Sequence, residues 1–359
     1  MIDQAAVSST AGAESRRLAA GGLRREEIAL ALTLLAGVGL SLSTGTGFEA
    51  GKVFGGYLAY FGRYGLFLFA IARLAHLIRV SWRPSGRLGR RMLGWLGGPS
   101  RVEDFFAIDF EFLRGFLLLL VTITVYTNLK VRIPLIHSVV GDDLFQALDN
   151  LLLGERLVPW IERFAELNPY WAHRFDRIYN HGFIWMIVLV LWLWMRNDAP
   201  RMRWLFSSFC LLYMVCIFIT LAYPSYGPFF LDWPRFRWAG GTASAFVQIR
   251  LVDVYLATMA AAEQGRPIPD GAFHGIAAFP SLHVAFMIML SVVGWKTARP
   301  FAIFMIGVAI ATTIATLVFG WHYLVDALAG GALAVLVPLL IRPWIFGKRP
   351  TDARQPAQP

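Results

Sequence analysis

Eight times along this chain the charged residues thin out into predominantly apolar runs, at about 28–47, 57–78, 105–127, 181–196, 203–222, 281–296, 300–319 and 322–344. A helix needs about 20 residues to cross the roughly 30 Å hydrocarbon core of a bilayer. In that medium every backbone amide must be satisfied inside the protein, which leaves helices or closed barrels. These runs are continuous where a barrel strand would alternate, so the barrel is excluded. The expected fold class is an all-α polytopic membrane protein. Composition agrees, with only 16% charged residues against about 25% in soluble domains. Arg63 and Arg73 interrupt the second run, and Arg73 is expected to snorkel to the nearer surface.

The formal net charge of +10 could suggest nucleic acid, but its placement argues for a membrane instead. With the N-terminus inside, the cytoplasmic segments are 1–27, 79–104, 196–203, 295–300 and the C-terminus, and they hold 19 of the 33 Lys and Arg. That bias toward short cytoplasmic segments is the positive-inside pattern. The expectation is a multi-pass protein with both termini cytoplasmic, in the inner or plasma membrane if bacterial, with no nucleic-acid partner. Residues 1–27 are polar before apolar residues take over at Ile28, which does not fit a cleavable signal peptide. Cys210 and Cys216 share one apolar run and read as inert core.

Four divisions follow: a disordered cytoplasmic tail over 1–27, two N-terminal spans with a basic loop over 28–104, a catalytic membrane domain over 105–346, and a disordered tail over 347–359. The segment 128–180 contains helical apolar spacing, with Leu144, Leu148, Leu151 and Leu152 on one side, and predicts an interfacial helix. Its Asp and Glu residues read as a solvated face. The Pro- and Gly-rich segment 223–280 predicts an ordered cap or re-entrant stretch over a site. Asp109, Glu111 and Arg114 are expected to pair among themselves at the inner end of the third span.

The chemistry concentrates in FPSLH at 279–283 and GWHYLVD at 320–326. Pro280 suits the start of a helix and Ser281 its cap. Amides at such an N-terminus favour an anion such as phosphate. His283, in the first turn, can donate a proton to a leaving oxygen near neutral pH. Gly320 allows a tight turn before His322, which is expected to begin the last span. Asp326 lies four residues on, roughly 6 Å along a helix axis and on the same face. A carboxylate there can orient His322 and make its other ring nitrogen a better nucleophile. The topology puts His283 and His322 on the same, non-cytoplasmic side.

At these residues the chain resembles the type 2 phosphatidic acid phosphatase superfamily, and within it the branch containing inositol phosphorylceramide synthase. The resemblance spans roughly 105–345, with Tyr223-Pro224 and DRIYNH at 176–181 as supporting matches. It implies a six-helix core, here with two N-terminal transmembrane helices and interfacial helices added. It also implies His322 as nucleophile, Asp326 as its partner and His283 as general acid, acting on a membrane lipid substrate with no cofactor and no metal. Three features depart from the superfamily. No Lys-x6-Arg-Pro motif is present, Thr316 stands where an arginine precedes the nucleophile by six residues, and Ser281-Leu282 replaces Ser-Gly. The phosphate-holding cations are therefore unassigned. Arg235, Arg237, Arg250 and Arg266 lie on the expected side, and His181 and Ser281 are further candidates for substrate binding. His274 is a candidate gate.

Three other readings stay open on sequence. A simple lipid or polyprenyl phosphate phosphatase shares the first half-reaction and differs only in what attacks the phosphohistidine. A metal-dependent membrane enzyme would use His283, His322 and Asp326 as ligands. A non-catalytic lipid transporter would call for broken spans with midplane charges.

Overall fold

The computed structural model describes residues 24–43, 48–81, 86–95, 103–137, 140–266 and 275–347. Residues 1–23 and 348–359, where most of the two expected tails fall, and His274 lie outside them. Among the described residues the chain is all helix and turn, with no strand.

Among the described residues fourteen α-helices follow one another: α1 Arg25–Ser43, α2 Ala50–Ser81, α3 Arg87–Trp95, α4 Glu103–Ile136, α5 Asp142–Leu153, α6 Leu157–Leu167, α7 Pro169–His181, α8 Ile184–Met195, α9 Ala199–Ala222, α10 Pro228–Leu231, α11 Ala243–Glu263, α12 Leu282–Gly294, α13 Arg299–Val318 and α14 Leu324–Phe346. A 3-10 turn over Trp233–Ala239 joins α10 to α11. Six of these, α1, α2, α9, α11, α13 and α14, are each long and apolar enough to cross a membrane, and α7 with α8 forms a seventh such unit bent by 47°. The chain is thus a polytopic, all-α membrane protein, as expected.

Helix α9 is the central post. Its 24 residues are mostly buried, and it packs on α4, α14, α12 and α1. Helix α12 lies against both α13 and α14. With only 13 residues it rises about 20 Å, shorter than the span expected over 281–296. The expected span at 181–196 is likewise the second limb of the bent α7–α8 pair. Residues 223–280 hold more than a cap: the 21 residues of α11 lie against α4 and α7. That run of Ala, Val, Leu and Ile is broken up by Arg250, Asp253 and Gln248, which hid its helical length.

Helix α5 is turned the other way from expectation. Leu144, Leu151 and Leu152 point outward and are exposed, while Asp142, Phe145 and Asp149 face the protein and are buried. An outward apolar stripe suits an interfacial helix whose surroundings are lipid. The two aspartates are not a solvated face; each is consumed by backbone amides. Asp142 accepts from the Tyr226 and Gly227 amides at 2.9 and 2.8 Å and from Ser225 Oγ at 3.0 Å. Asp149 accepts from the Leu324 and Val325 amides at 2.7 and 3.1 Å, capping the start of α14. Asp176 on α7 does the same for α11, accepting from Ser244 N at 2.8 Å and Ala243 N at 3.1 Å. Each cap satisfies helix-end or loop donors that would otherwise be orphaned.

The acidic and basic residues near the start of α4 pair, but across helices and not with one another. Glu111 binds Arg24, Glu27 binds Arg114, and Asp109 takes both Arg73 and the Trp194 indole N–H, the last at 2.9 Å. Arg203 Nε meets Glu26 at 2.5 Å. These pairs tie α1 and α2 to α4 and α9. Arg73 is spent on a carboxylate and not on snorkelling.

Candidate active site

FPSLH and GWHYLVD meet at one end of the bundle. Ser281 is fully buried and caps α12, its Oγ accepting from Val284 N at 3.4 Å. Its own amide donates to the carbonyl of Asp326 at 2.9 Å, which fastens the start of α12 to that of α14. The close approach depends on Gly330: a Cβ there would lie 2.2 Å from the Ser281 carbonyl oxygen. Ser281 is consequently structural and, unlike its neighbours Pro280, Leu282 and His283, does not line the cavity.

His283 is in the first turn of α12, as expected. His322 is not the first residue of the last helix; it lies two residues ahead of α14, after a turn at Gly320 with φ +63°. Helical i,i+4 spacing is therefore not what joins it to Asp326. The Asp326 side chain folds back instead, Oδ2 accepting from Tyr323 N at 3.0 Å and lying 3.5 Å from His322 Nδ1. Both groups are buried, and His322 Nδ1 and Asp326 Oδ1 have no hydrogen-bond partner among the described residues. Such contacts are commonly long before substrate tightens the site.

The imidazoles of His283 and His322 lie 6.2 Å apart between centroids. Both line a cavity of about 330 Å³ with Tyr57, Tyr126, Lys130, Tyr179, Tyr226 and Trp321 among its walls. Tyr179 is the neighbour that sequence reading undervalued. Its hydroxyl is 3.1 Å from His283 Nδ1, and its ring stacks on the imidazole at 4.2 Å. A hydroxyl donating to Nδ1 leaves the proton on Nε2, the nitrogen free to serve a leaving oxygen.

Among the described residues the cavity wall carries one Lys, Arg, Asp or Glu side chain, Lys130 of α4. In sequence it reads as the basic flank of a span. The other candidate cations are placed elsewhere. Arg235 is paired to Glu162 at 2.6 Å, and Arg237, Arg250 and Arg266 are exposed. His181 is exposed, with Nδ1 3.1 Å from the Arg177 carbonyl in its own helix. Thr316, standing where the superfamily has arginine, is buried and donates to the Thr313 carbonyl at 2.7 Å.

Outside the spans, burial pushes the Asp149 carboxyl above the ordinary carboxylate range while the Leu324 and Val325 amides pull it back. Among the described residues no group of three or more His, Cys, Asp or Glu is arranged to hold a metal ion.

No curated protein and no solved structure matches this chain. A family model described as the PAP2 superfamily matches residues 146–340, more than half of the chain and including both histidine motifs. The chain belongs to the PAP2 superfamily.

Proposed function

We propose that the protein is an integral-membrane lipid phosphotransferase, or a phosphatase, that works through a phosphohistidine on His322. The observation that supports this most directly is the pair of imidazoles 6.2 Å apart on one cavity, one of them backed by a buried carboxylate. That separation admits a single phosphoryl group between the rings. His322 Nε2 attacks phosphorus, so an N–P bond forms as the P–O bond to the lipid alcohol breaks. His283 gives its proton to that leaving oxygen, and Asp326 accepts from His322 Nδ1–H and stabilises the charge that develops on the ring. In the second half an acceptor hydroxyl returns a proton to His283, its oxygen bonds phosphorus and the N–P bond breaks.

An alcohol acceptor, as in the branch resembling inositol phosphorylceramide synthase, is favoured over water by the shape of the cavity. It continues between α4 and α9 to Tyr126, Tyr213 and Cys216, which leaves room beyond the reacting atoms for a second substrate. The bias of basic residues toward the opposite end supports a non-cytoplasmic site.

The test is purified protein with a panel of lipid phosphomonoesters and phosphodiesters, an acceptor lipid alcohol and chelator present. Free phosphate and newly formed phosphodiester lipid are scored separately, and acid-labile phosphoprotein is trapped. New phosphodiester is expected. Free phosphate alone would leave the phosphatase, and turnover that chelator abolishes would favour the metal-dependent reading. Full activity in both His283→Ala and His322→Ala would end the assignment.

A further inference from the structure

We propose that Lys130, on α4, is the cation that holds the phosphate, taking the place of the arginine and lysine that the sequence lacks. This rests on the functional reading above. Four observations lead to it. Lys130 is the one Lys, Arg, Asp or Glu among the described residues of the cavity wall, and it shares that wall with both histidines. No carboxylate among the described residues forms an ion pair with it; its ammonium instead lies 5.8 Å from the centre of the Tyr126 ring. A half-buried ammonium without a counterion is costly unless an anion arrives to meet it. Lastly, the nearest basic neighbour in sequence is already committed: Arg132 is buried and donates to the Asn128 carbonyl at 2.6 Å.

The alternative cations fail on placement. Arg235 is neutralised by Glu162, and Arg237, Arg250 and Arg266 are exposed and do not line the cavity. Lys130 also lies outside the matched residues 146–340. The charge that balances the phosphate thus comes from a helix the family model does not cover, opposite the elements that carry the histidines. In the reaction Lys130 forms and breaks no covalent bond. It binds the non-bridging phosphoryl oxygens in the ground state and more tightly as charge gathers on them in the transition state.

The experiment compares wild type, Lys130→Met, Lys130→Arg and His322→Ala in the full chain. Three quantities are read: inhibition by inorganic phosphate, kcat and KM on a lipid phosphate in mixed micelles, and melting temperature. Lys130→Met keeps the length of the side chain and removes its charge. It is expected to weaken inhibition by phosphate at least about 10-fold and to lower kcat/KM by about 10²-fold, with melting unchanged. Lys130→Arg is expected to recover most of both. Wild-type phosphate inhibition and turnover in Lys130→Met would overturn the proposal. So would equal losses in Met and Arg variants with a lowered melting temperature, which is the signature of a packing role. If His322→Ala is inactive while Lys130→Met is normal, only the role of Lys130 falls. If wild type neither turns over lipid phosphates nor responds to inorganic phosphate, the functional reading falls with it.

Discussion

Apart from the Arg235–Glu162 pair, the two ends of the bundle treat their buried charges in opposite ways. At the end where α1, α4 and α9 begin, carboxylates meet guanidiniums: Arg24 with Glu111, Arg114 with Glu27, Arg203 with Glu26. At the end where the histidines lie, the buried aspartates Asp142, Asp149 and Asp176 are satisfied by backbone amides and hydroxyls. Glu111 and Lys130 are on one helix, 19 residues apart, or about 28 Å, and show the contrast within a single element. Pairing acid with base joins helices, but it cancels charge. Satisfying acids with amides holds loops in place and leaves the cation and the imidazoles uncommitted, as the proposed anion site requires.

The largest test of that contrast is chemical. His322→Ala is expected to lower turnover by about 10⁴-fold or more, in the range seen when a nucleophile is removed, and to abolish trapped phosphoprotein, with melting close to wild type. Glu26→Gln tests the other end: it removes the charge that faces the buried Arg203 and is expected to cost about 3–5 kcal/mol of stability. Thermal melting in detergent reads this, and kcat/KM of the surviving folded protein should be unchanged. A loss of kcat/KM larger than the loss of folded protein would show that the two ends are not separable.

Asp149→Asn lies between these extremes. An amide oxygen can still accept from one of the two α14 amides while its NH₂ finds no acceptor there, and the expected cost is about 1–3 kcal/mol. Because that cap fixes the segment just after His322, kcat should fall along with stability. Intact kcat would mean that the histidine is held by other contacts. The smallest effect belongs to Tyr179→Phe, which deletes the hydroxyl at His283 Nδ1 and keeps the stacked ring. A fall in kcat of about 2- to 13-fold is expected, corresponding to a net hydrogen bond of about 0.5–1.5 kcal/mol, with KM and melting little changed.

Much of this architecture was readable before any coordinates. Hydropathy located the bundle because a bilayer forbids most alternatives, and FPSLH with GWHYLVD pointed to the two histidines that meet at the cavity because their motifs are local in sequence. What escaped was non-local. A lysine near the end of an apolar run looks like any basic flank until the fold shows what it faces. Asp142 and Asp149 did leave a signal: seven residues apart, they share a helical face with Phe145. Reading polar as outward is the rule for helices in water, and it inverts for a helix whose other side meets lipid. The cross-helix partners of Glu111 and Arg114 were hidden for the same reason. An i,i+3 pair was at hand, and the true partners lay 87 positions away.

Tyr57 has a consequence beyond its own contact. It belongs to α2, upstream of the family match, yet its hydroxyl sits 2.9 Å from Thr127 Oγ1 and its side chain closes part of the cavity. Part of the cavity wall is therefore built by a helix that supplies none of the proposed reacting groups. Selection can retune what enters the chamber by editing that helix, while the groups proposed to make and break the phosphorus bonds stay as they are.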